Sequence, residues 1–190
     1  MQTDSIDISY ANKVFSFFDY SSRLGRDKID DLIGISIEYG KTKAFDLIEE
    51  YGDSVDIVQE ACLKEGLSVG FEKKPSCSKD FVKFAQCTVK DKEIMLNGYA
   101  IKTIADNFDD LDSVDIKNAV VAHELYHYME FRHWGYLYKR YTFERKLLGL
   151  FKVRYSILPM SEVAANSFAK ELLHLSFNPY ELNSRYFSCV

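Results

Sequence analysis

The segment His123-Glu124-Leu125-Tyr126-His127 limits the possible folds of this chain more than any other feature. Two histidines four residues apart share a face in an α-helix, so a helix lets both imidazoles reach one ion. Glu124 lies about 100° around such a helix from His123, which places it beside the ion rather than among its ligands. This HExxH arrangement is typical of a zinc site that activates water.

The residues around the motif predict a largely buried helix from Val114 to Met129. Its apolar side chains include Ala119, Val120, Val121, Ala122, Leu125 and Tyr126. The alternative is an amphipathic core helix with a histidine pair at its surface. We favour a metal site, because burying an imidazole without a partner costs about 1–3 kcal/mol and a metal ion supplies that partner.

A catalytic zinc site needs a third protein ligand and leaves one position for water. His133 follows His123 by ten residues, as in HExxHxxGxxH, but Glu130 stands where that pattern needs glycine. On a continuing helix His133 lies about 240° from His127 and points elsewhere. Glu130 shares the histidine face but lies about 10 Å along the axis from His123. Met160 is thin support for the methionine turn that accompanies the longer pattern.

Glu162 is the favoured third ligand. It opens a segment of helical periodicity that runs to Leu173, and Pro159 and Ser161 form a plausible helix start. The alternative role for Glu162 is a simple helix-terminal charge, since a carboxylate in the first turn interacts favourably with the helix dipole. Asn166 lies four residues on and is predicted to orient a ligand from outside the coordination sphere.

Together these two motifs resemble the ImmA/IrrE metallo-endopeptidases, which are gluzincin-like. The second motif reads ExxANxFAxxLL, and the resemblance covers about residues 53–175. Its matching residues are His123, Glu124, His127, Glu162, Ala165, Asn166, Phe168, Ala169, Leu172 and Leu173. The resemblance implies that His123, His127 and Glu162 bind zinc and that Glu124 is the general base. Members of this family are bacterial and phage cytoplasmic proteins associated with cleavage of DNA-binding repressors.

The chain departs from the family in two places. His174-Leu175-Ser176 stands where the family often has Met-Pro, and positions 128–161, 34 residues, form a longer spacer than usual. We expect an insertion at about residues 134–158 that interleaves basic and aromatic side chains. A lid or substrate-contact role is favoured for it over nucleic-acid binding. A tyrosine or arginine of this segment, or His174, is a candidate to stabilise an oxyanion.

The remaining pattern predicts an α+β fold, mainly helical, with a small antiparallel three-stranded sheet beside the HExxH helix. We expect a single zinc metallopeptidase-like domain over residues 1–190, with an acidic helical part at 1–65 and a catalytic core at 66–190. The first part has apolar stripes at 44–51 and 55–63, ended by Gly52 and Gly66. The predicted strands are Leu67–Phe71, Phe81–Val89 and Glu93–Asn97.

Charge and cysteine usage bear on partners and location. Residues 1–60 hold 13 acidic and 6 basic side chains, a net charge of −7, which disfavours a DNA-binding helix-turn-helix. The chain has no long apolar run and no basic leader, so we expect a cytoplasmic protein without a membrane segment. The four cysteines form no CxxC pair and are expected to be free thiols; a metal site at Cys77 and Cys87 is the less favoured alternative.

The sequence therefore predicts a zinc-dependent endopeptidase that cleaves a protein substrate, with a DNA-binding repressor as the candidate. Zn²⁺ is the expected cofactor, and direct binding of nucleic acid is not expected. The alternative is a non-catalytic metal-binding regulatory or interaction module of a phage or toxin–antitoxin system.

Overall fold

The computed structural model describes residues 5–18, 20, 23–54, 56–74, 77–78, 81–147 and 151–190. Within them, eight α-helices are found: α1 Ser5–Phe17, α2 Arg26–Tyr51, α3 Ile57–Glu65, α4 Gly98–Ala105, α5 Ser113–Met129, α6 Leu137–Arg140, α7 Pro159–Leu172 and α8 Glu181–Cys189. Val55 of the second apolar stripe and residues 148–150 of the expected insertion lie outside the described residues. The mainly helical α+β class predicted from the sequence is confirmed.

Both glycine stops in the N-terminal part are confirmed. Helix α2 ends directly before Gly52, whose φ is 82°. Helix α3 ends directly before Gly66, whose φ of 69° is the left-handed conformation that commonly closes a helix. Leu63 was predicted to belong to the apolar stripe but is 69% exposed, so the buried face of α3 is narrower than the predicted stripe.

The described residues also form seven strands: β1 Ser68–Phe71, β2 Cys77–Ser78, β3 Phe81–Val82, β4 Ala85–Thr88, β5 Glu93–Leu96, β6 Thr142–Leu147 and β7 Phe151–Ser156. The main sheet has the order β1-β5-β4. Strands β4 and β5 are antiparallel, as predicted. The all-antiparallel sheet is wrong, however, because β1 pairs with β5 in parallel. The intervening residues, which include β2, β3 and β4, supply the long connection that a parallel pair requires.

The predicted strand Phe81–Val89 is broken into two. Asn97 lies at the break, where its side-chain amide donates to the carbonyl oxygen of Lys83 and its backbone N–H donates to the carbonyl oxygen of Phe84. The same side chain caps α4 by accepting from the N–H of Ala100. One buried asparagine therefore joins the end of β5, the start of β4 and the next helix.

The helix that carries HExxH starts and ends close to the predicted positions. Asp112 caps α5 by accepting a hydrogen bond from the N–H of Val114 at 2.6 Å. Val114 is 58% exposed, and the buried face begins at Ile116. After Met129 the chain continues into a π-helical turn, Glu130–Trp134.

Helix α7, which carries Glu162, packs against both α2 and α5. Its approach to α2 is very close at Gly40, where a Cβ atom would lie 2.2 Å from the carbonyl oxygen of Ala164 and 2.9 Å from Cβ of Ser167. Ala164 is itself fully buried at this contact. The long α2 therefore fixes the position of α7, and with it the position of Glu162.

The expected insertion folds as α6 followed by the antiparallel hairpin β6–β7. Phe143 of β6 stacks on Tyr155 of β7 with ring centroids 5.4 Å apart. Tyr20 packs edge-on against Phe143, and its hydroxyl donates to the carbonyl oxygen of Ser156 at 2.7 Å. These contacts attach the hairpin to the chain just after α1.

Candidate metal centre

Helix α5 presents the two histidines of HExxH on one face. Residues at i and i+4 lie one turn apart, and the Nε2 atoms of His123 and His127 come within 3.2 Å of each other. The rings meet edge to face, with centroids 4.8 Å apart. Both side chains are partly buried, with 21% and 26% of their surface exposed. Two ring nitrogens are thus directed at one point.

Glu162 brings a carboxylate to the same point from the first turn of α7. Its Oε2 lies 3.5 Å from Nε2 of His123, and its Oε1 lies 3.4 Å from Nε2 of His127. Ligands about 2.1 Å from a tetrahedral zinc ion are separated by about 3.4 Å. The spacing and the N,N,O donor set therefore fit a divalent ion. Among the described residues, this trio is the group of histidine, cysteine and carboxylate side chains close enough to hold a metal.

The proton affinities of these groups reflect their mutual contact. Burial on its own raises the pKa of Glu162, but hydrogen bonds from His123 and His127 hold it well below its usual range. Burial on its own lowers the pKa of His127, but the carboxyl groups of Glu130 and Glu162 outweigh it and raise the pKa to about 10. The carboxylate therefore favours positive charge between the two imidazoles, whether a proton or a metal ion supplies it.

Asn166 supports His123 from behind. Its Oδ1 lies 3.2 Å from Nδ1 of His123, and its side-chain amide donates to the carbonyl oxygen of Glu162 at 2.9 Å. An acceptor at Nδ1 holds the proton there and leaves Nε2 free to bind a metal. Asn166 thus occupies the orienting position predicted for it, and its own orientation is fixed by the same helix.

Glu130 lies beside His127 at ion-pair distance without a hydrogen bond between them, a contact that sequence reasoning missed. Its carboxyl group is 1% exposed, and Oε2 lies 3.8 Å from Nδ1 of His127. Oε1 accepts hydrogen bonds from the hydroxyl of Ser161 at 2.6 Å and from the N–H of Leu137 at 2.7 Å. Glu130 therefore connects the end of α5 to the starts of α6 and α7. Its spacing of three residues from His127 was the available signal, since i and i+3 are neighbours on a helix.

Glu124 faces the pocket beside the trio and is held by the sheet. Its Oε2 accepts a hydrogen bond from the backbone N–H of Cys87 at 2.9 Å. Cys87 lies in β4, an edge strand of the main sheet. The carboxyl group that HExxH chemistry uses as a base is thus oriented by a backbone donor, a contact that the sequence pattern did not predict.

The other candidates from the sequence have separate partners. Nε2 of His133 lies 3.0 Å from both carboxyl oxygens of Glu65. His174 lies 3.2 Å from Asp53 through Nε2 and is exposed. Met160 is fully buried in the core. The structure therefore brings the histidine pair and Glu162 together. It gives His133, His174 and Met160 other contacts.

All four cysteines are free thiols. Burial, aided by the charge of Glu124, raises the pKa of Cys87 to about 11. Burial raises the pKa of Cys62 to about 12. Thiols bind metal ions as thiolates, so the environment of Cys87 disfavours the alternative metal site at Cys77 and Cys87.

A cavity of about 470 Å³ opens beside the candidate metal centre. His123, Glu124, Glu162 and Asn166 lie at its polar end. The rest of its wall comes mainly from apolar side chains of α1, the β3–β4 segment, α5 and α8. The four polar side chains therefore face a space that a ligand can enter.

In comparisons with known proteins, no family model, no curated protein and no solved structure matches this chain. Within the part of the chain that the structure describes, no helix has the length and apolar character needed to cross a membrane. We therefore infer function from the side chains and their geometry.

Proposed function

We propose that this protein is a zinc-dependent endopeptidase of the ImmA/IrrE type. The observation that carries the proposal is the convergence of His123, His127 and Glu162 at separations of 3.2–3.5 Å, with Glu124 in the same pocket. Two neutral imidazoles and a carboxylate are the ligand set of many hydrolytic zinc sites, which keep the fourth position for water. Glu162 is distant in sequence from the HExxH motif and supplies the third ligand of this set.

Zinc, when bound, supplies Lewis acidity that polarises a carbonyl group and lowers the pKa of a coordinated water to about 7. Glu124 accepts the proton of the attacking water and delivers it to the leaving amine. The Cys87 N–H keeps the Glu124 carboxyl group in place for both transfers. Asn166 holds the ring of His123 at its Nδ1 side, so that the Nε2 donor atom does not rotate away. The carboxyl group of Glu130 lies 3.8 Å from Nδ1 of His127 and attracts that ring electrostatically.

The edge of β4 is the proposed binding site for an extended segment of the substrate. Cys87 directs its N–H away from β5 and toward Glu124, so Ala85, two residues earlier, presents its backbone groups to the same edge. A peptide that adds as a strand there runs past Glu124 with its backbone hydrogen-bonded. This geometry favours an unfolded or extended segment of a protein as the substrate.

The proposed substrate is a repressor-like DNA-binding protein, as the resemblance to ImmA/IrrE proteins implies. The proposed location is the cytoplasm, and the four free thiols support it because a reducing compartment maintains them. The acidic balance of residues 1–60 supports recognition of protein rather than nucleic acid.

The test pairs metal analysis with a cleavage assay. We expect purified protein to bind one zinc ion and to cleave unfolded protein or a mixed peptide library. Glu124→Gln should keep the zinc and lose at least about 100-fold in kcat, the scale of general-base catalysis. Glu60→Gln, on the exposed face of α3, makes the same chemical change and should leave both unchanged.

Two results would contradict the proposal. Full activity in Glu124→Gln removes Glu124 from the mechanism. Stoichiometric zinc without cleavage of any peptide in the library favours the non-catalytic metal-binding module instead.

A further inference from the structure

The wall of the cavity beside the metal centre is strongly apolar. Its lining includes Val14, Phe17, Val82, Phe84, Val120 and Phe187. A volume of about 470 Å³ is within the range of about 300–1,000 Å³ typical of sites that enclose small ligands. The proposed peptidase chemistry uses the polar end of this cavity, and the apolar part is left without a role.

Two large apolar side chains at this cavity are accessible to solvent. Phe17, near the end of α1, is 81% exposed, and Phe187 of α8 is 36% exposed. Exposed aromatic side chains that line a concave site gain by covering apolar surface of a ligand. The occupant that matches this chemistry is itself apolar.

The wall is anchored rather than loosely placed. Asp7 of α1 is 5% exposed and accepts hydrogen bonds from the ammonium group of Lys170 at 2.9 Å and from the side-chain amide of Asn178 at 2.8 Å. Tyr10 donates to the carboxyl group of Glu181 in α8 at 3.1 Å. Helices α1 and α8 are therefore joined to each other and to α7, so the cavity has a fixed shape.

The cavity also lies where a bound peptide would place a side chain. Ala85 lines it and belongs to β4, the edge at which the substrate strand is proposed to add. His123 and Glu124 border the same space. A peptide whose carbonyl group reaches the metal centre therefore has a neighbouring side chain within reach of the apolar wall.

We propose that this cavity binds a large apolar side chain, of the size of leucine, methionine or phenylalanine, from a residue that flanks the scissile bond. The inference rests on the proposed peptidase function and adds the class of substrate. It makes the cavity the specificity pocket of the enzyme and Phe17 and Phe187 its selective side chains.

The experiment uses the zinc-loaded full chain and a peptide mixture randomised at each position in turn, which locates the cut and the residues around it. Single peptides then carry phenylalanine, leucine, alanine or glutamate at the preferred flanking position. We expect kcat/KM to be at least about tenfold higher for phenylalanine or leucine than for alanine, the usual discrimination of an apolar pocket. Glutamate should be cut more slowly than alanine.

Variants link the preference to the cavity. The double change Phe17→Ser with Phe187→Ser should reduce the phenylalanine-to-alanine ratio to below about threefold, by losing contacts of an apolar pocket. Phe45→Ser is the matched control, because Phe45 is 43% exposed but lies on α2 outside the cavity lining. It should leave the ratio unchanged. Thermal unfolding of all three proteins checks that they are folded.

The outcomes separate the two proposals. Cleavage with no preference for a large apolar residue, or with a preference that survives the double change, overturns the specificity pocket and leaves the peptidase in place. Absence of cleavage in the whole mixture overturns the peptidase, and the pocket proposal with it.

Discussion

Gly40 and Gly34 form a natural pair for testing how the candidate metal centre is positioned. Both lie inside α2, where replacing glycine by alanine stabilises a helix by about 0.8–1 kcal/mol through propensity alone. Around Gly34 nothing lies within 4 Å of a new Cβ atom. At Gly40 the new atom would lie 2.2 Å from the carbonyl oxygen of Ala164. Helix propensity predicts stabilisation at both sites, whereas packing adds a cost at Gly40 alone, so the net changes in stability have opposite signs.

The expected magnitudes follow from these contacts. A Cβ atom at Gly40 overlaps backbone rather than a flexible side chain, so α2 and α7 must separate, and overpacking of this kind costs about 3 kcal/mol. After the gain in propensity, Gly40→Ala should lower the free energy of unfolding by about 2 kcal/mol, or Tm by about 4–8 °C for a chain of this size. Gly34→Ala should raise Tm by about 2–4 °C.

The same two variants also test the geometry of the candidate metal site. Ala164 lies two residues after Glu162 on α7, so separating α7 from α2 moves the carboxylate relative to the histidine pair. We expect zinc affinity, measured by competition with a chromophoric chelator, to fall about tenfold or more in Gly40→Ala and to stay constant in Gly34→Ala. Urea unfolding of the zinc-free proteins gives the stability. A Gly40→Ala protein as stable as the wild type would refute the close packing of α2 on α7.

Three further predictions concern the groups around His127. Because the pKa of His127 is raised to about 10 in the metal-free protein, zinc must displace a proton from its ring. The apparent zinc affinity should therefore rise about tenfold per pH unit from pH 7 to 9. Calorimetry in buffers of different ionisation enthalpy counts the released proton. The raised pKa of His127 stabilises the folded protein fully below pH 6.5, and this stabilisation is lost as the pH approaches 10. The lowered pKa of Glu162 stabilises the folded protein above pH 4.5. In urea unfolding of the metal-free protein, the combined contribution of the two groups to the free energy of unfolding should therefore be greatest between pH 4.5 and 6.5. Glu130→Ala should destabilise the protein by about 2–6 kcal/mol in the same assay, because the buried donors of Ser161 and Leu137 each lose their acceptor at about 1–3 kcal/mol. An unchanged unfolding midpoint in Glu130→Ala would show that these donors find other acceptors.

Local rules gave the elements on which the site is built. The period of the α-helix was enough to place His123 and His127 on one face, and Gly52 and Gly66 end their helices as predicted. Register between strands was harder to infer, because apolar alternation gives the buried face of a strand but not the direction of its partner. For this reason β1 was paired with the wrong orientation.

The sequence by itself determined the chemistry that is available: two imidazoles one helical turn apart, a carboxylate beside them and a second helix with Glu162 in its first turn. Only the tertiary structure decided that Glu162 arrives 3.4–3.5 Å from both rings, that Cys87 holds Glu124 and that Glu130 faces His127. The physical reason is the separation along the chain between the residues that make contact. Helix periodicity relates residues a few positions apart, whereas these contacts depend on α2, α5, α7 and the sheet packing together, which no short stretch of sequence specifies.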